Sequence, residues 1–250
     1  MRRFPHEFAD LLSPHGLRIL TGKSSSECGL FKQPGRYFAN FSDLIRRDRA
    51  EACMRLLNES LYETLAVEQS RIPPETISEM TENYSESLPK TIRIKTAFFR
   101  KSSARSYQAA EKIGLLRMMR SESFSLFAET LTGLKLDREL GVQVSCYEQG
   151  DYAGPHNDHH PEDEFFKDGF VDFHVMFRND AVAHHYLVYE EKGHLSKIVS
   201  INVQGGVSVY RLPFWHYTTP LAAKPGREKE ARRWLLLGTF QIASGKIRKP

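Results

Sequence analysis

Hydrophobic positions follow two different rhythms along this chain. Leu44, Ile45, Ala52, Met54, Leu56, Leu57, Leu61 and Leu65 recur at roughly helical spacing. Ser42 has the chemistry of an N-cap and Asp43 suits a first turn, so a helix is expected from there to about Val67. Pro73-Pro74 ends that pattern, and a short helical segment is expected through Met80. Residues 91–99 alternate as a strand does. Residues 107–119 and 123–131 return to helical spacing, the second run closed by Gly133 as a C-cap. From about Gly141 the rhythm changes to short β-rich runs at 141–147, 170–177, 185–190, 197–202, 206–211 and 233–242, separated by Gly, Asp and His clusters. The first forty residues mix Gly, Pro and Ser with isolated aromatics, and read as an irregular arm with one short strand.

The expected fold is therefore mainly β with a helical N-terminal half. Residues 1–140 form a mostly helical region packing on a barrel, and residues 141–250 form a β jelly roll. No linker separates the halves, so they are expected to make one structural domain.

Composition narrows the class without deciding it. At 250 residues, 40% hydrophobic and 26% charged, the chain has ordinary soluble character. It lacks the ~18 consecutive apolar residues of a membrane span, and no secretory signal follows Met1-Arg2-Arg3. Three widely spaced cysteines, Cys28, Cys53 and Cys146, argue against a disulfide framework and for a reducing cytoplasm. The net charge of +4 is mild. A basic run, Arg93, Lys95, Arg100, Lys101, Arg105, Lys112, Arg117 and Arg120 against the single acid Glu111, carries Phe98, Phe99 and Tyr107 among its charges. It suits a solvated face or an anionic substrate, and nucleic-acid binding is not expected.

The candidate chemistry lies in Tyr147-Glu148-Gln149-Gly150-Asp151-Tyr152-Ala153-Gly154-Pro155-His156-Asn157-Asp158. On an extended backbone, residues two apart face the same side, so His156 and Asp158 can address one point. They would supply two ligands of a 2-His-1-carboxylate triad, the donor set of non-haem iron(II) oxygenases. A distant strand must bring the other histidine, and His216, just beyond the apolar run at 207–210, is the best placed. A His-x-Asp alone carries little weight, but the last strand adds an independent feature. Arg232 and Arg233 open the run 233–242, and alternation turns one of them inward among apolar side chains. A buried guanidinium demands an anionic partner, and a dicarboxylate cosubstrate would provide one.

The order Tyr147-x-x-Gly150-Asp151-x-x-x-Pro155-His156-x-Asp158, then His216, then Arg233, resembles the prolyl 4-hydroxylase-like branch of the 2-oxoglutarate/iron(II)-dependent oxygenases. The resemblance covers about residues 123–242. It implies a double-stranded β-helix and an iron(II) site of His156, Asp158 and His216. It also implies 2-oxoglutarate and O2 as cosubstrates, with Arg233 on the distal carboxylate and Tyr147 as a further hydrogen-bond partner. The implied reaction is hydroxylation, or a related oxidation, of an unactivated C–H bond, with release of succinate and CO2. Retention of Asp158 favours hydroxylation over halogenation.

The pattern departs from that family in three places. Leu235 stands where many relatives carry Ser or Thr, which leaves Tyr147 or Thr218 as the available hydroxyls. His184-His185 stands in place of Gly-Gly. The longer stretch from His216 to the arginine pair leaves Arg232 as an alternative to Arg233, with the spacing to Gly238 favouring Arg233.

Other residues keep two readings. His174, in the run 170–177, either lines the cosubstrate pocket or is a hydrogen-bonded core histidine. His159 and His160 read as rim residues, and His184 and His185 as structural or partly exposed. Residues 161–168 suit either a substrate lid or a solvated loop. The expected partner is a small-molecule or amino-acid-like substrate, and a homodimer is left open. The competing readings are a peptidyl or protein prolyl-type hydroxylase and a redox-silent metal-binding jelly roll serving as hydrolase, isomerase or sensor.

Overall fold

The structure, a computed structural model, describes residues 2–24, 26–70, 92–158 and 169–243, with the backbone alone described at 138–140. The expected helical segment at 73–80, the candidate lid at 161–168, and His159 and His160 lie outside the described residues.

The fold is a mainly β, jelly-roll-like half-barrel whose convex back carries the helices. Its major sheet runs in the order β1 (Phe38–Phe41), β10 (Gly206–Leu212), β6 (Phe170–Arg178), β13 (Arg233–Ile242), β4 (Leu136–Tyr147), β3 (Ile92–Phe98) and β2 (Ala66–Ser70), with β5 (Tyr152–Ala153) also paired to β3. A smaller sheet joins β11 (His216–Thr218), β8 (Tyr186–Glu191) and β9 (His194–Ser200), and β12 (Ala222–Ala223) pairs with β7 (Val182–His184). The pairings within these sheets are antiparallel.

Period-two alternation divides the major sheet into two faces with different work. On the back, Val144, Cys146, Phe173, Val175, Phe177, Trp234, Leu236 and Phe240 join one hydrophobic core with the helices. On the concave side, Tyr147, Met176, Tyr210 and Leu235 belong to a second core shared with the smaller sheet. Both faces of β6 are covered, and Phe170 to Phe177 are all buried. The polar Asp172 and His174 therefore lie inside the molecule rather than on its surface.

Helix α5 (Glu122–Thr132) anchors the back. Ser121 caps it by accepting the Phe124 amide, and Gly133 ends it with φ of 75°. Phe124 meets Phe173 edge-on at 5.2 Å between ring centres, and Phe8 meets Phe124 at 5.1 Å. Helix α2 (Arg47–Ser60) covers the neighbouring part, where Trp234 Nε1 donates to Asn58 Oδ1 at 2.8 Å.

Several elements differ from the expectations. The helix expected from Ser42 begins at Arg47 because Leu44 and Ile45 are buried by an extended crossing. There Ser13 N donates to Leu44 O and Ile45 N to Gly205 O. Its far end stops at Ser60, Tyr62–Thr64 make a 3-10 turn, and Ala66 and Val67 enter β2, where pairing with β3 overrides helical spacing. The run 107–119 is two helices, α3 (Arg105–Lys112) and α4 (Leu115–Met119), separated at Gly114 with φ of 79°. The N-terminal arm holds α1 (Pro14–Leu20), capped by Ser13, and it buries Phe4, Phe8, Leu11, Leu12 and Ile19 in the back core.

Candidate metal centre

β5 and β11 meet at one end of the concave face. The backbones of His156 and His216 exchange two hydrogen bonds, His156 N to His216 O at 3.0 Å and His216 N to His156 O at 2.9 Å. Thr218 Oγ1 accepts the Ala153 amide at 2.8 Å and ties the same two segments together. The imidazoles are thereby held side by side, their ring centres 4.3 Å apart.

Each ring is oriented by a carbonyl two residues upstream. His156 Nδ1 lies 2.6 Å from Gly154 O, and His216 Nδ1 lies 2.9 Å from Phe214 O. A carbonyl can only accept, so each Nδ1 carries the proton and each Nε2 presents its lone pair. Those lone pairs converge on Asp158, whose Oδ2 is 3.4 Å from His156 Nε2 and 3.7 Å from His216 Nε2. Asp158 reaches this position with φ of 52°, a left-handed conformation that aspartate tolerates better than most residues. The donor atoms of the three residues all lie within 4.8 Å of one another. Two imidazole lone pairs and a carboxylate oxygen aimed at one point repel unless a cation sits among them, so the donor set fits a divalent metal.

A buried group of side chains around Arg233, here termed the chamber, adjoins the triad on the concave face. Arg233 is 2% exposed, and its Nε donates to Ile201 O at 2.9 Å. Burial pulls its guanidinium below the ordinary arginine value. The groups that favour its charge are the hydroxyls of Tyr147 and Tyr210, with no carboxylate among the described residues contributing. Burial raises both tyrosine hydroxyls, and Arg233 opposes that rise. His174 is held down to about 3 by burial, then by Arg233 and His216, so its ring is neutral. Its Nε2 is buried without a hydrogen-bond partner among the described residues. Tyr210 links this chamber to the triad, with ring centres 4.4 Å from His174 and 5.5 Å from His216.

Neither a protein-family model nor a curated protein matches this sequence. Solved structures do. An oxidoreductase of the 2OG-Fe(II) oxygenase family from Burkholderia pseudomallei superposes with a TM-score of 0.51 at 11% identity, covering 96% of this chain and 93% of its own. A prolyl hydroxylase from Trichoplax adhaerens, solved with a hypoxia inducible factor oxygen degradation domain peptide fragment, gives a TM-score of 0.51 at 15% identity, covering 92% of this chain and 94% of its own. The chain has the 2-oxoglutarate/iron(II) oxygenase fold.

Within that fold the residues singled out from the sequence fall into two groups. His156, Asp158 and His216 come together, and Arg233, Tyr147 and His174 share the adjoining concave face. Arg232 faces the other way, its guanidinium carbon 3.9 Å from the Tyr62 ring centre and its Nε 3.5 Å from Glu148 Oε1. The inward arginine is Arg233. Thr218 sits beside the triad with its oxygen accepting a backbone amide.

Two residues of the chamber were not anticipated from the sequence. Tyr210 is buried on the concave face, where alternation with Val207 and Val209 could have placed it. His185 is fully buried beside Tyr147 at 4.9 Å between ring centres, while His184 is exposed. No spacing rule separates those adjacent histidines, because β7 ends between them.

Proposed function

We propose that this chain is a non-haem iron(II), 2-oxoglutarate-dependent dioxygenase that oxidises an unactivated C–H bond of a small-molecule or amino-acid-like substrate. The observation that carries the reading is one of adjacency: three convergent metal donors lie next to a buried arginine that has no carboxylate partner among the described residues. A plain metal hydrolase or isomerase has no use for that arginine, whereas a dicarboxylate cosubstrate needs it.

His156 and His216 would hold iron(II) through Nε2 and Asp158 through its carboxylate. That arrangement occupies one face of the ion and leaves the other for small molecules. Arg233 would receive the distal carboxylate of 2-oxoglutarate through the guanidinium nitrogens not used on Ile201, with Tyr147 beside it. Leu235 and Met176 line the same face and keep water out, which strengthens the charge pairing. When bound, iron(II) supplies the oxidising chemistry. In that chemistry one oxygen atom of O2 would enter the substrate C–H bond and the other succinate, as 2-oxoglutarate would lose CO2. The protein's part is to bind, orient and exclude water.

The substrate reading draws on side chains of the same concave face. Thr96, Gln143 and Ser145 form a hydrogen-bonded group there, and Thr239 donates to Asp172 at 2.6 Å. Gln143 and Thr239 are only partly covered. Short polar groups of this kind suit the hydroxyl, amide or amine functions of a small molecule. Succinate formation from 2-oxoglutarate in air tests the reading, using iron(II)-reconstituted protein and His156→Ala as control. Succinate that depends on His156 is expected. The absence of turnover together with the absence of 2-oxoglutarate binding would overturn it.

A further inference from the structure

His185 follows the end of β7, is fully buried, and has both ring nitrogens out of contact with solvent and without a hydrogen-bond partner among the described residues. The backbone of Thr219 lies near enough to favour its charged form but outside hydrogen-bond geometry. Buried polar atoms without partners are rare, because they lose hydration and gain nothing in return. The ring therefore calls for a partner that enters from the chamber.

Its neighbours indicate which one. Ile201 joins His185 to Arg233 through one residue: Ile201 N donates to His185 O at 3.0 Å, and Ile201 O accepts from Arg233 Nε at 2.9 Å. The ring packs on Tyr147, which stands directly across the β4–β13 ladder from Arg233. Leu235, the next concave-side residue after Arg233, offers no hydrogen-bonding group. The two buried histidines of the chamber also occupy different ends of it. His174 packs on Tyr210, whose ring also meets His216, whereas His185 packs on Tyr147, opposite Arg233. His185 thus lies at the arginine end, away from the triad.

We infer that His185 is a second anchor for the distal carboxylate of the 2-oxoacid cosubstrate, donating an imidazole N–H to one carboxylate oxygen while Arg233 holds the other. The inference rests on the oxygenase reading above. A carboxylate accepts about four hydrogen bonds, and with Nε on Ile201 the fork of Arg233 aims two N–H groups at one carboxylate. The imidazole adds a further donor and satisfies its own buried nitrogen at the same time. His185 is then a selectivity residue: it favours 2-oxoacids that carry a second carboxylate.

Manganese(II)-loaded protein is titrated calorimetrically with 2-oxoglutarate and with 2-oxopentanoate, which has the same five-carbon chain but no distal carboxylate. His185→Phe keeps a ring of similar size and removes the N–H, and His185→Gln restores an amide donor. His185→Phe is expected to weaken 2-oxoglutarate roughly 10- to 100-fold, leaving 2-oxopentanoate and manganese(II) binding as in the wild type. His185→Gln, which also serves if the Phe variant fails to fold, is expected to lose less than 10-fold, as a donor of the same kind would. Equal weakening of both acids, or undiminished 2-oxoglutarate affinity in His185→Phe, overturns the inference while leaving the oxygenase reading in place. Wild-type protein that binds manganese(II) but not 2-oxoglutarate overturns both.

Discussion

Arg233 stands directly opposite Tyr147 across the β4–β13 ladder, its guanidinium carbon 5.5 Å from the centre of the tyrosine ring. The next residue, Trp234, points to the other face and is hydrogen-bonded to Asn58 of α2. One step of strand register therefore decides whether the chamber contains a cation or an indole.

A buried cation without a carboxylate partner is a burden on the empty protein. Arg233→Met, similar in length and apolar, is expected to leave the melting temperature of the cosubstrate-free protein unchanged or higher. The same change should weaken 2-oxoglutarate by about 30- to 5,000-fold, since truncating one side of a buried charge pair costs about 2–5 kcal/mol. Metal affinity should persist. Thermal melts and calorimetry on the same sample check the opposite signs.

Asp158 combines a ligand position with a left-handed backbone. Asp158→Gly removes the carboxylate and relaxes that backbone, so metal binding should be lost without a fall in the melting temperature of the metal-free protein. Asp158→Ala should lose metal equally and in addition be less stable than Asp158→Gly by about 1 kcal/mol. Metal titration beside thermal melts distinguishes the two contributions.

On the opposite side of the molecule, His15 bridges two acids, with Nε2 2.8 Å from Glu27 and Nδ1 2.9 Å from Asp43. Hydrogen bonds to Glu27 and then Asp43 raise the His15 pKa above 6.5, against the opposing effect of burial. Glu27 is held below 4.5 by Ser24 and His15. The His15 contribution is thus fully present below pH 6.5 and lost as pH rises through its folded value. That of Glu27 is present above pH 4.5 and lost as pH falls through its own. His15→Ala should lower the melting temperature more at pH 6 than at pH 9.

Gly133 ends α5 in a left-handed conformation, and a Cβ there would come within 2.5 Å of Gly29 Cα. Gly133→Ala should cost about 1–3 kcal/mol of stability. The helix packs on the back of the sheet, so metal affinity measured well below the melting temperature should be unchanged.

How far the sequence could be read depends on which interactions are local. The six longer strands from Gly141 onward were legible as β-rich runs, and so was α5, which carries its own cap and terminator, whereas the short β5, β7, β11 and β12 were not. The triad was legible because His156 and Asp158 stand two residues apart and only His216 had to be supplied by the fold, although Asp158 reaches the site with a left-handed rather than an extended backbone. The start of α2 was not, since Leu44 and Ile45 satisfy helical spacing while contacts to Ser13 and Gly205 hold them extended. His185 was illegible for a similar reason. Its burial follows from its ring packing on Tyr147 and its carbonyl accepting from Ile201, which nothing near it in sequence records.

The central claim is that one chamber binds iron(II) and 2-oxoglutarate together. The most direct measurement is an anaerobic absorption titration of the iron(II) protein with 2-oxoglutarate, in the wild type and in His156→Ala. The account predicts a metal-to-ligand charge-transfer band that saturates with 2-oxoglutarate in the wild type and is absent from the variant. A wild-type protein that binds iron(II) through this triad yet develops no such band would contradict it.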